Sequence, residues 1–145
     1  VRDEIIYRWA LASIYYSMGG ENWLNQDNWL SDKNICEWHG LDCDAFDVLR
    51  EIDLSNNNVA GEVPLEFAML ETVQAIALRR NQISGELNGE IFGFHTKLTI
   101  LYLENNKLSG TVHASLRDNG VLRKLSVCRM ISGCCILLSS RSLID

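Results

Sequence analysis

Three phrases of one pattern recur along this chain: "LREIDLSNNNVAGEVP" at 49–64, "VQAIALRRNQISGEL" at 73–87 and "LTILYLENNKLSGTV" at 98–112. Superposed, they place Ile52, Ile76 and Leu101 at one position, Leu54, Leu78 and Leu103 two residues on, and Asn57, Asn81 and Asn106 three further. Val59, Ile83 and Leu108 follow, then Gly61, Gly85 and Gly110. The asparagines stand 24 and then 25 residues apart. A period of that length is one supersecondary unit, too small to bury its apolar face except against a neighbouring copy. The expected fold is therefore an α/β solenoid.

Within each phrase, alternation sends the two aliphatic residues to the core and their neighbours to the opposite face of a short strand. The chain must then turn inside the stack, where backbone groups lose water. One inward amide per coil carries both donors and acceptors, so Asn57, Asn81 and Asn106 are expected to form a structural ladder. Asn56 and Asn58, which flank the first of them, read as turn residues.

The form LxxLxLxxNxLxGxxP resembles the plant-type leucine-rich repeat, the class found in receptor-like proteins and receptor kinases of plants. The resemblance runs from residue 49 to about 117. It departs from that class after the glycine, where Pro64 stands in the first copy but Asn88 and His113 in the next two. Ahead of the repeats, "WL" at 29–30 and "CEWHGLDCD" at 36–44 resemble the N-terminal cap of the same family. The resemblance implies a right-handed superhelix with short parallel strands on its concave face. It also implies a helical cap stapled by a Cys36–Cys43 disulfide, with Trp29 and Trp38 packed over the open end. A lasting disulfide belongs to an oxidising compartment, so the expected location is extracellular or at the cell surface. The expected plan is a cap over 1–47, three full repeats and one partial over 48–127, and a degenerate or aberrant segment over 128–145.

In the cap, Ile5, Trp9, Ala12 and Tyr16 recur at helical spacing and mark one face of an expected helix over Asp3–Met18. "GG" at 19–20 stops it. The stretch 21–44 shows neither helix nor strand period. The tryptophans at 9, 23, 29 and 38 are expected to form the core of the cap. Cys36, His39 and Cys43 have the types but not the number of a metal site, since no fourth ligand lies at useful spacing. No metal or cofactor is expected.

A formal charge of −6 on 145 residues argues against a nucleic-acid partner. No apolar run reaches membrane-spanning length, and no signal peptide is visible. The opening "VRDEII" lacks Met, so a fragment or processed product is expected. Phosphate-loop, nucleophile-elbow and metalloprotease motifs are absent, and His95 and His113 read as loop residues without catalytic neighbours. The chain is expected not to be an enzyme but a recognition module for a protein or peptide, the N-terminal part of a receptor-like protein in signalling or defence. The alternative is a structural or assembly protein, or a truncated fragment. Residues beside the core leucines should face the concave side, and Asp53, Ser55, Arg79, Tyr102 and Glu104 are the expected contact residues. Arg79 between Asp53 and Glu104 can also be a plain ladder of surface ion pairs. A fourth copy begins with Leu122, Leu125 and Val127, but Met130 stands where its asparagine is due. The apolar end beyond it, with Ile136, Leu137 and Leu138, is expected to be either a degenerate cover or a misread frame, and to invite self-association.

Overall fold

The computed structural model describes residues 2–128 and 135–139. Met130 and Cys134, on which part of the C-terminal expectation rests, lie outside the described residues. In the repeats the short alternating runs become strands: β2 (Leu49–Asp53), β4 (Ala75–Ala77), β6 (Ile100–Tyr102) and β8 (Lys124–Cys128) stack in parallel. Their register puts Ile52, Ile76, Leu101 and Leu125 side by side, all buried. The sheet is closed at its start by β1 (Leu41–Cys43), antiparallel to β2, and at its end by β9 (Cys135–Ser139), antiparallel to β8. A second, narrower sheet follows the asparagine turns, made of β3 (Ala60–Gly61), β5 (Gln82–Glu86) and β7 (Lys107–Ser109). The convex side carries a 3-10 turn at Leu65–Met69 and two one-turn helices, α2 (Gly89–Phe92) and α3 (Ala114–Arg117). Phe67 and Phe92 fill the space beneath, ring centroids 5.7 Å apart.

Each coil contains one residue that only glycine suits well. Gly61 has φ +86°, and a Cβ there would lie 2.8 Å from the Ser17 carbonyl oxygen. The departures from proline are explained by capping. Pro64 precedes the first convex turn, whereas Asn88 and His113 accept from the backbone N–H of Glu90 and Ser115 at the starts of α2 and α3.

The cap helix α1 (Arg2–Ser17) ends at Gly19 with φ +69°. Its buried face is Ala10, Leu11, Ile14 and Tyr15, and Met18, just past its end, is buried with them. The stripe that the spacing picks out is the opposite one: Ile5, Trp9 and Tyr16 are 65%, 56% and 66% exposed. The reason is that α1 is apolar on two opposite sides, and periodicity finds a stripe without saying which one the first coil covers. Trp9 therefore does not belong to the cap core. Trp23, Trp29 and Trp38 do, joined with Tyr15 in a chain of ring contacts between 4.9 and 5.9 Å. The stretch 21–44 is irregular except for 3-10 turns at Gly20–Asn22 and Ile35–Glu37 and for β1.

Cys36 and Cys43 are bonded to each other, with Cα atoms 5.6 Å apart, so neither thiol is left to bind a metal. The bridge closes a short loop, with seven residues of sequence separation. Its removal by Cys36→Ser with Cys43→Ser is expected to cost about 2–3 kcal/mol. The melting temperature in oxidising and reducing buffer measures this, and equal values would show that packing alone holds the cap.

Candidate functional site

The turns that shape the concave rim are held from inside. Asn81 Oδ1 accepts from the backbone N–H of Asn57 at 2.9 Å and of Val59 at 3.0 Å. Its Nδ2 donates to the carbonyls of Leu54 at 2.8 Å and Leu78 at 3.0 Å. Asn106 repeats the pattern one coil on, accepting from Ile83 N–H and donating to Leu78 and Leu103 carbonyls. Asn57 turns to the cap, bonding Asn25 through both ends of its amide. The neighbours Asn56 and Asn58 both take left-handed backbone, φ +53° and +57°, a conformation asparagine tolerates better than most residues. Asn58 also donates to the Asn22 carbonyl, which ties the first coil to the cap.

Above these turns lies a hollow of about 510 Å³ bounded by His39, Asp53, Ser55, Arg79 and Glu104, with Asn56, Arg80 and Asn105 beyond. Four of the five expected contact residues thus meet at one place. The fifth, Tyr102, lies one strand position away with the Arg79 guanidinium 5.3 Å from its ring centroid. Arg79 also pairs with Glu104 at 3.8 Å. Asp53 does not complete an ion-pair ladder; its carboxylate accepts from the Ser55 N–H at 3.0 Å. A pair as exposed as Arg79–Glu104 contributes little to stability. The hollow holds unmet hydrogen-bonding capacity instead, because Ser55 Oγ and Glu104 Oε2 are buried and have no partner.

Two polar residues outside the expected set organise the convex side. Asn119 donates to the Gly93 and His95 carbonyls and accepts from Val121 and Leu122 N–H. His95, read from sequence as a loop residue, is buried, with Nε2 3.1 Å from the Phe67 carbonyl oxygen. The carbonyl can only accept, so Nε2 carries the proton and Nδ1 is left without a partner. No sequence signal marks His95, because its partner lies 28 residues away in the preceding coil.

Burial pushes the His95 pKa below the ordinary histidine value, a shift opposed by the Phe67 carbonyl and the Glu71 carboxylate. The unfolded chain therefore takes up a proton near pH 6.5 that the folded chain refuses. Stability is expected to fall as pH drops below about 6.5 and to level off beneath the lowered folded value. His95→Gln should flatten this slope in urea titrations at pH 7 and pH 5. An equal slope in the variant would assign the pH dependence elsewhere.

Parallel strands on one face, one-turn helices on the other and an amide at the bend of each of the three full repeats define a leucine-rich repeat solenoid with a stapled cap. The Leucine Rich Repeat family model matches residues 48–70 and 97–119. Phytosulfokine receptor 1 of Arabidopsis thaliana is 37% identical over 98 residues, 66% of this chain and 9% of that protein. Receptor-like protein kinase 5 of the same plant is 31% identical over 62 residues, 43% of this chain and 6% of that protein. The BIR2 ectodomain of Arabidopsis thaliana superposes with a TM-score of 0.76 at 20% identity, covering 84% of this chain and 66% of that one. The receptor kinase HAESA of Arabidopsis, solved with the peptide hormone IDA and the co-receptor SERK1, gives 0.68 at 27% identity, covering 88% of this chain and 21% of that one. The chain carries leucine-rich repeats and is similar over these spans to plant receptor kinases. It spans less than a tenth of the length of the curated relatives it matches. Among the described residues no helix is long and apolar enough to cross a membrane.

Proposed function

We propose that this chain is a non-catalytic recognition module that binds a protein or peptide on its concave face, as the N-terminal part of an extracellular receptor-like protein in signalling. The observation that carries this reading is the rim hollow, where Ser55 Oγ and Glu104 Oε2 lack partners while Arg79 and Tyr102 stand beside them. Buried polar atoms without partners cost stability, and a ligand offering hydrogen bonds relieves that cost. Tyr and Arg are also the residue types that interface hot spots favour. The peptide hormone bound to HAESA supports the ligand class, and the Cys36–Cys43 bridge supports an oxidising exterior.

The test is capture of a ligand by the immobilised, oxidised chain, with bound material identified by mass spectrometry. Replacing Arg79 and Tyr102 together by alanine is expected to weaken capture at least tenfold, about 1.4 kcal/mol, with little change in melting temperature. Undiminished capture would move the contact away from this patch. An assembly role at the cell surface is the second reading, favoured by the exposed Ile5, Trp9 and Tyr16 on α1. Sedimentation that shifts with concentration would support it.

A further inference from the structure

The convex side carries a cavity of its own, between the first and second coils. Its volume is about 270 Å³, with Ala68 and Ile91 among its apolar residues and Glu71, Glu90, Phe94 and His95 around them. That is below the range of a drug-sized ligand and suits one long side chain. Glu71 and Glu90 are exposed, and none of the ion pairs among the described residues involves them. Two carboxylates alone do not make a site. His95 adds an independent observation, because it is only 6% exposed and its Nδ1 has no partner. Its Nε2 is held 3.1 Å from the Phe67 carbonyl oxygen and its ring lies 6.1 Å from that of Phe92, so the imidazole is fixed with Nδ1 as the acceptor. Glu71 is near enough to act on the same imidazole. A buried acceptor without a donor costs stability, and a donor entering the cavity relieves that cost.

Glu71, Glu90 and the Nδ1 of His95 all accept, so the occupant is a cation rich in N–H donors. A metal ion is the compact choice, but among the described residues no three of His, Cys, Asp and Glu form a group that could hold one. A guanidinium spreads five N–H donors over a plane, which lets one cation serve separated acceptors. Its face also rests on aromatic rings, and Phe94 is 74% exposed beside the cavity. The preceding convex turn adds exposed Leu65 and Met69. A free small cation has no use for that apolar surface, whereas a partner protein covers it and keeps water from a central anchor. We infer that this cavity receives an arginine side chain of a partner protein, whose guanidinium donates to His95 Nδ1, pairs with Glu71 and Glu90 and lies against Phe94. Apolar residues flanking that arginine cover Leu65 and Met69. The site is on the opposite side of the solenoid from the rim hollow and does not rest on the reading of that hollow.

N-acetyl-arginine amide probes the cavity by nuclear magnetic resonance of the isotope-labelled chain, beside the matching lysine and citrulline amides. Citrulline keeps the shape of arginine without its charge. The arginine probe is expected to bind at about 1 mM, as befits so small a ligand, and to move the His95 Nδ1 resonance and the backbone amides of 90–96. It should bind about fivefold more tightly than the lysine probe and about tenfold more tightly than the citrulline probe. Glu71→Gln and Glu90→Gln change exposed positions, and each should weaken the arginine probe about threefold without lowering the melting temperature. Tripeptides then separate the sources: arginine between two leucines is expected to bind about tenfold more tightly than arginine between two serines, a difference that Leu65→Ser with Met69→Ser removes. Equal binding of the two tripeptides would overturn the partner protein in favour of a free guanidine-type cation. Citrulline matching arginine, undiminished binding in both glutamate variants, or a His95 Nδ1 resonance that stays fixed as arginine binds would overturn the site. No binding, or a response confined to the Arg79 and Glu104 hollow, would overturn it as well.

Discussion

Asn81→Leu is expected to lower stability by about 3–5 kcal/mol, because it orphans two buried backbone N–H groups and removes the donor from two buried carbonyls at once. For a chain of this size that is a fall of about 10 °C or more in melting temperature. The bonds are shared between coils: Asn57, Val59 and Leu54 belong to the first, while Asn81 and Leu78 belong to the second. Loss should therefore loosen the stack between two coils as well as one bend. Asn58→Ala is the control, since Asn58 is exposed and its side chain bonds only the Asn22 carbonyl among the described residues. It should cost about 1 kcal/mol. If Asn81→Leu melts within a degree or two of the parent, the amide ladder does not hold the turns.

Trp29→Ala is expected to be comparably severe, about 3–5 kcal/mol. Trp29 sits at the centre of the cap, its ring stacked on Tyr15 at 5.9 Å, edge-on to Trp23 at 4.9 Å and tilted against Trp38 at 5.2 Å. Its Nε1 donates to the His39 carbonyl at 2.9 Å, which ties the aromatic cluster to the strand that opens the sheet. Removing it leaves a cavity between three rings that cannot collapse without shifting α1. Trp9→Ala is the comparison: that side chain is 56% exposed and should cost less than about 1 kcal/mol. Denaturant unfolding of the two variants separates them, and similar costs would contradict the arrangement of the cap. Because the cap supplies β1 and His39 to the concave side, ligand capture should fall with Trp29→Ala and not with Trp9→Ala.

The contrast between Trp29 and Trp9 shows what a single sequence can reveal. Both belong to an aromatic-rich opening segment, and both were expected in the core. Their fates differ because α1 offers two apolar sides and the first coil covers one. The fourth strand shows the reverse case: its partial phrase begins with Leu122, Leu125 and Val127 in register, and by the same alternation Lys124 falls on the concave side. The cap strand β1 could not be found in that way, since it runs antiparallel and lies outside the repeat.

Repetition made the coils legible. Ile52, Leu54, Asn57 and Gly61 each recur in three copies, and every copy must meet the same neighbour, so one set of local requirements is written three times. From those residues alone follow the strands, the bends and the row of side chains beside the core leucines. Contacts made once are written once: the covered side of α1, the burial of His95 beneath the Phe67 carbonyl, the turn held by Asn119, and the antiparallel pairing of the cap strand β1 with the first repeat strand. These depend on which surfaces the cap and successive coils bring together across tens of residues. Only the packed chain decided them, because burial and charge pairing are properties of neighbours in space, and no periodicity records a neighbour that occurs a single time.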